Sequence, residues 1–111
     1  MLTFDETLAI ATAWVANRAG EVPGRELVIL NGHIEERKRG WAFPYNTKRF
    51  VETQNPIDGL LGNGPVFVDR ATGEVHALGS AKIRAWLEEY DRTGTPRRTS
   101  GVAGDEPTQR S

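Results

Sequence analysis

Gly40-Trp41-Ala42-Phe43-Pro44-Tyr45-Asn46 alternates large aromatic residues with smaller ones. Successive side chains of an extended chain point to opposite faces, so Trp41, Phe43 and Tyr45 share one face and Ala42, Pro44 and Asn46 the other. An aromatic face of this kind belongs in a core. Pro44 lacks a ladder donor and is ordinarily confined to an edge or a bulge, so the strand either lies at an edge there or bends.

Upstream, Thr3 and Glu6 form a capping box at the start of a helix over Thr3 to Arg18. Phe4, Leu8, Ala11 and Val15 recur at helical spacing, with Ile10 and Trp14 widening the stripe. Gly20 is placed to stop this helix, since glycine readily takes the left-handed conformation common at helix ends. After the turn formers Val22-Pro23-Gly24, the apolar run Leu27-Val28-Ile29-Leu30 reads as a strand covered on both faces, or at least an interior one. Glu35-Glu36-Arg37-Lys38-Arg39-Gly40 is too hydrophilic for core and reads as the hairpin connection into the aromatic strand.

Downstream, the loop over 53–64 is rich in turn formers but keeps Ile57, Leu60 and Leu61, which predicts an ordered loop or a single helical turn anchored by those three. Val66-Phe67-Val68-Asp69 and Glu74-Val75-His76-Ala77-Leu78 form a second hairpin, with Gly73 at its left-handed position. Ser80 is a candidate N-cap for a second helix whose Ile83, Trp86, Leu87 and Tyr90 fall on one stripe and which ends near Asp91 to Thr93. Trp14 and Trp86 lie on helix stripes and are assigned to the core. From Gly94 onward Val102 and Ala103 are the apolar residues, too few to offset ordering entropy, so 93–111 is expected to be a disordered tail unless a partner holds it. The expected fold is α+β: an N-terminal helix, a four-stranded mainly antiparallel sheet built from two hairpins, and a C-terminal helix packed on that sheet, all within a single domain over 1–92.

The 111 residues include 14 Lys and Arg against 15 Asp and Glu, for a net charge of −1. Such a balance favours neither nucleic acid nor an anionic membrane as partner. No apolar run approaches the roughly 20 residues that span a bilayer. The start, Met1-Leu2-Thr3-Phe4-Asp5-Glu6, is acidic where an export signal would be basic, which points to the cytoplasm. With no cysteine, disulfides, thiolate metal sites and thiol nucleophiles are excluded.

A small hydrolase would have to use His76 or His33 as general base beside Asp58, Asp69 or Glu74, yet none of these sits in a catalytic motif. His76, between Val75 and Ala77, equally fits the surface of a strand. The two histidines lack metal-ligand spacing. Gly62-Asn63-Gly64-Pro65 lacks the Lys-Ser/Thr ending of a phosphate loop and leads into a strand rather than a helix. Arg37-Lys38-Arg39 is offset by Glu35 and Glu36, as in a solvated turn. No catalytic residue, metal or cofactor is expected.

Three segments in fixed order carry a family resemblance: Gly40-Trp41-Ala42-Phe43-Pro44-Tyr45-Asn46, then Gly62-Asn63-Gly64-Pro65, then Asp69-Arg70-Ala71-Thr72-Gly73-Glu74-Val75. Together they resemble the YrhB-like family, also called immunity protein 35 of bacterial polymorphic toxin systems. The resemblance runs from the first helix to Tyr90, and Pro44 departs from the aromatic or aliphatic residue common at its position. It implies a small α+β protein that binds and neutralises a cognate toxin domain encoded beside it, with chaperone-like binding to many clients as the alternative. A shape-matched interface of this kind would use the 53–64 loop and the aromatic strand, with Trp41, Tyr45, Asn55, Asp58 and Asn63 as contact residues.

Overall fold

In a computed structural model, residues 1–20, 26–60 and 63–94 are described. The expected turn at Val22-Pro23-Gly24, the anchoring role of Leu61 and the tail beyond Gly94 lie outside them. Helix α1 (Phe4–Ala19) opens on the expected capping box: the Thr3 hydroxyl accepts from the Glu6 amide at 3.1 Å and the Glu6 carboxylate from the Thr3 amide at 2.8 Å. Its buried line is Thr7, Ala11 and Val15, flanked by the partly buried Leu8, Ile10 and Trp14. Thr7 sits in this line without penalty because its hydroxyl donates to the Phe4 carbonyl at 2.9 Å. Gly20 caps the helix in a right-handed conformation (φ −64°), not the left-handed one expected. Its amide folds back onto the Asn17 carbonyl at 3.1 Å, so the last turn tightens and satisfies that acceptor without a left-handed step.

Pro44 resolves the aromatic stretch into two strands, β3 (Gly40–Phe43) and β4 (Tyr45–Thr47), serving two different sheets. A four-stranded antiparallel sheet runs β2 (Glu35–Arg37), β3, β5 (Asn63–Asp69), β6 (Val75–Gly79). It consists of two hairpins joined by the β3–β5 pairing, with Trp41 opposite Val68 and Phe43 opposite Val66. The apolar run expected in that sheet instead forms β1 (Leu27–Ile29), which pairs with β4 alone in a separate two-stranded sheet. Val28, Ile29 and Leu30 are half-buried rather than covered on both faces. The outer position of the first hairpin goes to Glu35–Arg37, read from composition as a connection. Only Lys38 and Arg39 turn the chain, with Arg37 opposite Gly40.

The central sheet is covered on both faces, as its alternation requires. Trp41, Phe43, Val66 and Val68 join Leu27 and Tyr45 beneath Ala11 and Val15 of α1. Ala42, Phe67 and Leu78 face the opposite way and pack on Trp86, Leu87 and Tyr90 of α3 (Ile83–Thr93). Helix α3 starts two residues later than a Ser80 cap would place it: residues 80–82 form a turn, and Lys82 stands before the helix in the left-handed region (φ 60°) without a side-chain cap. Gly40 is obligatory for this stacking, since a Cβ there would lie 2.0 Å from the Val68 carbonyl oxygen. Gly73 (φ 78°) supplies the left-handed step of the β5–β6 turn, as expected.

Candidate partner-binding surface

Thr47 ends β4 and begins α2 (Lys48–Thr53). Its buried hydroxyl accepts from the Phe50 amide at 2.9 Å and donates to the Asp58 carbonyl at 2.6 Å, joining the helix start to the next turn. Gln54 closes α2 in the left-handed region, and Asn55 caps a 3-10 turn over Pro56–Asp58 by accepting from the Ile57 amide at 3.1 Å. The Asp58 carboxylate accepts from Thr53 at 2.7 Å and from Arg49 at 3.2 Å. Asn46 Oδ1 receives both the Thr47 and Leu60 amides, at 2.7 and 2.9 Å. The loop is therefore an ordered platform built from short polar side chains that satisfy its backbone.

Of the expected apolar anchors, Leu60 packs against the core, but Ile57 is 79% exposed because the Asn55-capped turn directs it outward. Together with the exposed Val51 it gives the platform apolar relief. Of the expected contact residues, Asn55 lies on the exposed surface, Asp58 is half-buried in the network above, and Asn63 is half-buried, donating to the Tyr45 carbonyl at 3.0 Å. The two aromatic residues lie in the core. Trp41 and Tyr45 are 9% and 5% exposed because α1 covers the face they share. Trp41 meets Phe4 edge to face and carries the Arg70 guanidinium 4.2 Å above its ring, while Tyr45 meets Trp14 edge to face.

A second polar assembly ties the β2–β3 hairpin to α3. Arg37 bonds Glu35 and Asp91, each at 2.6 Å, and Arg84 grips both oxygens of Glu35. Arg39 donates to the Asp91 carbonyl at 3.1 Å. The Glu35 carboxyl is held down to about 2, first by the hydrogen bonds from Arg84 and, against some burial, by Arg37. On the other side of β2, Arg70 bonds Glu36 at 3.1 Å and the Arg37 carbonyl at 2.6 Å. The cluster read as a solvated turn is thus a fastening. Its signal was present: Glu35 and Arg37 share one side of a strand by period two, and Arg84 and Asp91 share one side of a helix at a spacing of seven.

His33 is exposed in a 3-10 turn (Asn31–His33), whereas His76 is set against Trp86 and Tyr90, at 5.5 and 5.3 Å between ring centres. Its Nε2 makes no hydrogen bond and lies 3.5 Å from Glu74. Asp69, the acid expected near the hairpin, is committed to the Ala71 and Thr72 amides at 2.7 and 3.0 Å and to Tyr90. Among the described residues no group of three or more His, Asp or Glu side chains is placed to hold a metal ion, and no helix is long and apolar enough to cross a membrane.

No solved structure matches the chain. Among curated proteins it is similar to Uncharacterized protein YrhB of Escherichia coli (strain K12), with 29% identity over 92 residues, covering 82% of this chain and 90% of that protein. Residues 5–93 match the family described as Immunity protein 35. That span takes in all but the first residue of α1, continues through α3 and includes both sheets, and the chain belongs to the immunity protein 35 family.

Proposed function

We propose that this protein is an immunity protein which binds a cognate toxin domain, encoded by a neighbouring gene in the same cell, and neutralises it by occlusion rather than by catalysis. The single observation carrying this reading is the family match over 5–93. The placement of the ionisable groups is consistent with it, since Asp69 and Glu35 are spent on internal bonds. The contact surface proposed is the platform of α2 and the 3-10 turn. Asn55 and Asp58 flank the protruding Ile57 in the turn, Asn63 is tied to the Tyr45 carbonyl, and Trp41 and Tyr45 belong to the core. An apolar knob ringed by polar groups is the anatomy of a protein interface. A protein of this kind acts in the cytoplasm of the producing cell, before the toxin leaves it.

The test is co-expression with the C-terminal domain of the large protein encoded alongside. Rescue of growth and a one-to-one complex are expected. Absence of both, with suppression of aggregation of unrelated clients, would replace this reading with a chaperone-like one.

A further inference from the structure

We infer that the outer edge of β1 is a docking strand for an extended, uncharged segment of the toxin with alternating apolar side chains. The inference rests on the immunity reading and specifies how contact is made.

Register fixes which backbone groups are available. The Thr47 amide donates to Asn46 Oδ1 and the Tyr45 carbonyl accepts from Asn63, so both residues turn their backbone groups away from β1. Leu27 is opposite Thr47 and Ile29 opposite Tyr45. In an antiparallel ladder such pairs exchange no bonds, while the flanking positions do, here Leu30 to Pro44 and Lys48 to Glu26 at 2.8 Å each. The amides and carbonyls of Leu27 and Ile29 therefore point outward. Among the described residues nothing pairs with them. Unpaired edges of this kind are templates for an added strand, and proteins that do not use them usually blunt them with charge or proline. Leu27-Val28-Ile29 carries neither.

Two depressions flank this edge and meet along Val28, Ile29 and Asn31. One, of about 380 Å³, lies against Leu8, Thr12, Val15 and Ala16 of α1. The other, of about 400 Å³, lies against Phe50, Val51 and Gln54 of α2. An added strand projects alternate side chains to opposite faces, so its residues would enter the two depressions in turn. Charge selects the occupant: none of the described lining side chains is an acid, lysine or arginine, and His33 is the one titratable group. A second copy of this chain fits poorly. A three-residue edge contact falls far short of the ~1,200 Å² that a stable interface buries, and Leu27 of the second copy would already be committed to its own core. The depression against α2 opens beside the platform, so one partner can occupy both.

Ile29→Pro tests the edge, because it deletes an outward amide and leaves the β4 ladder intact, whereas Ala16→Trp fills the α1 depression from an exposed position should the proline variant fail to fold. Affinity of the full chain for the neighbouring toxin domain would be measured alongside nuclear magnetic resonance titration with a blocked Val-Thr heptapeptide. At least tenfold weaker toxin binding by either folded variant is expected. Toxin binding equal to the parent's in both variants overturns the docking edge and leaves the immunity reading standing. Failure of the toxin domain to bind, with the peptide still shifting the Ile29 amide in the parent and not in Ala16→Trp, keeps the edge and removes the toxin as its occupant. If neither probe binds, both readings fall.

Discussion

The Tyr90 phenol donates a 2.6 Å hydrogen bond to Asp69 Oδ2, joining the last helix to the end of β5 within a buried site. The other carboxylate oxygen holds the amides of Ala71 and Thr72, so one aspartate fixes both the hairpin turn and the helix above it. Burial opposes ionisation of Asp69, but the bonds from Tyr90 and the turn amides outweigh it and keep its pKa below the ordinary 3.8.

Tyr90→Phe is expected to cost about 1–3 kcal/mol at neutral pH, because a buried carboxylate oxygen loses its partner while ring packing is retained. Asp69, with its lowered pKa, stabilises the fold above the unfolded value of 3.8 and loses that contribution as pH falls through the folded value. Tyr90 is raised, first by burial and next by Asp69, so its contribution is present below the ordinary 10.0 and is lost as pH rises above it. Urea unfolding of parent and variant from acid to alkali checks this: the gap between them should narrow in acid. A constant gap down to the lowest pH would contradict the assignment.

Glu35→Gln should loosen the β2 strand from α3. Glu35 is 35% and Arg84 64% exposed, so solvent screening limits the cost to about 1 kcal/mol. The contribution is present above the unfolded value of 4.5 and fades as pH falls towards about 2. A double-mutant cycle with Arg84→Met, read from urea midpoints at low and high salt, should show a coupling that shrinks with salt.

Gly40→Ala is expected to be the most damaging single methyl addition among the described residues of the central sheet. The new Cβ would meet the Val68 carbonyl oxygen at 2.0 Å, a backbone atom that can move only by parting β3 from β5. A loss of about 3 kcal/mol or more, at the upper end for a point change, should appear as a lower thermal midpoint. Unchanged stability would mean that the β3–β5 approach is looser than this distance implies.

Thr47→Val keeps shape but deletes both the α2 cap and the bond to the Asp58 carbonyl. A cost of about 1–2 kcal/mol is expected, concentrated in α2 and the following turn. Hydrogen exchange should accelerate at the Phe50 amide more than at Val66 or Val68, and toxin binding through the platform should weaken with it.

What was legible in the sequence was local or periodic. The Thr3–Glu6 box, the alternation from Trp41 to Tyr45, the turn at Gly73 and the stripe Ile83, Trp86, Leu87, Tyr90 all depend on neighbours within one turn or one strand. The pairing of Leu27 with Thr47 spans the intervening β2–β3 hairpin and leaves no signal within either strand. Glu35–Arg37 looks like a loop by composition because its partners Arg84 and Asp91 lie 49 and 54 positions away, where opposite charge makes a polar strand tolerable. Ser80 satisfied the preference for a cap, but the turn leaving β6 had not yet ended. The platform was legible as an ordered loop or helical turn. The burial of Trp41 and Tyr45 under α1 was not, because the pattern of one strand does not say which neighbour covers its aromatic face.

Pro44 gives up its place in the ladder yet accepts from the Leu30 amide at 2.8 Å. The peptide chain turns from one sheet into the other at this residue with buried aromatics on either side, Phe43 before and Tyr45 after. Such a corner behaves as a rigid joint rather than a hinge. The small sheet is held by the large core at a fixed angle, and a partner adding to it would find its template already set, spending little of its binding free energy on ordering the surface it meets.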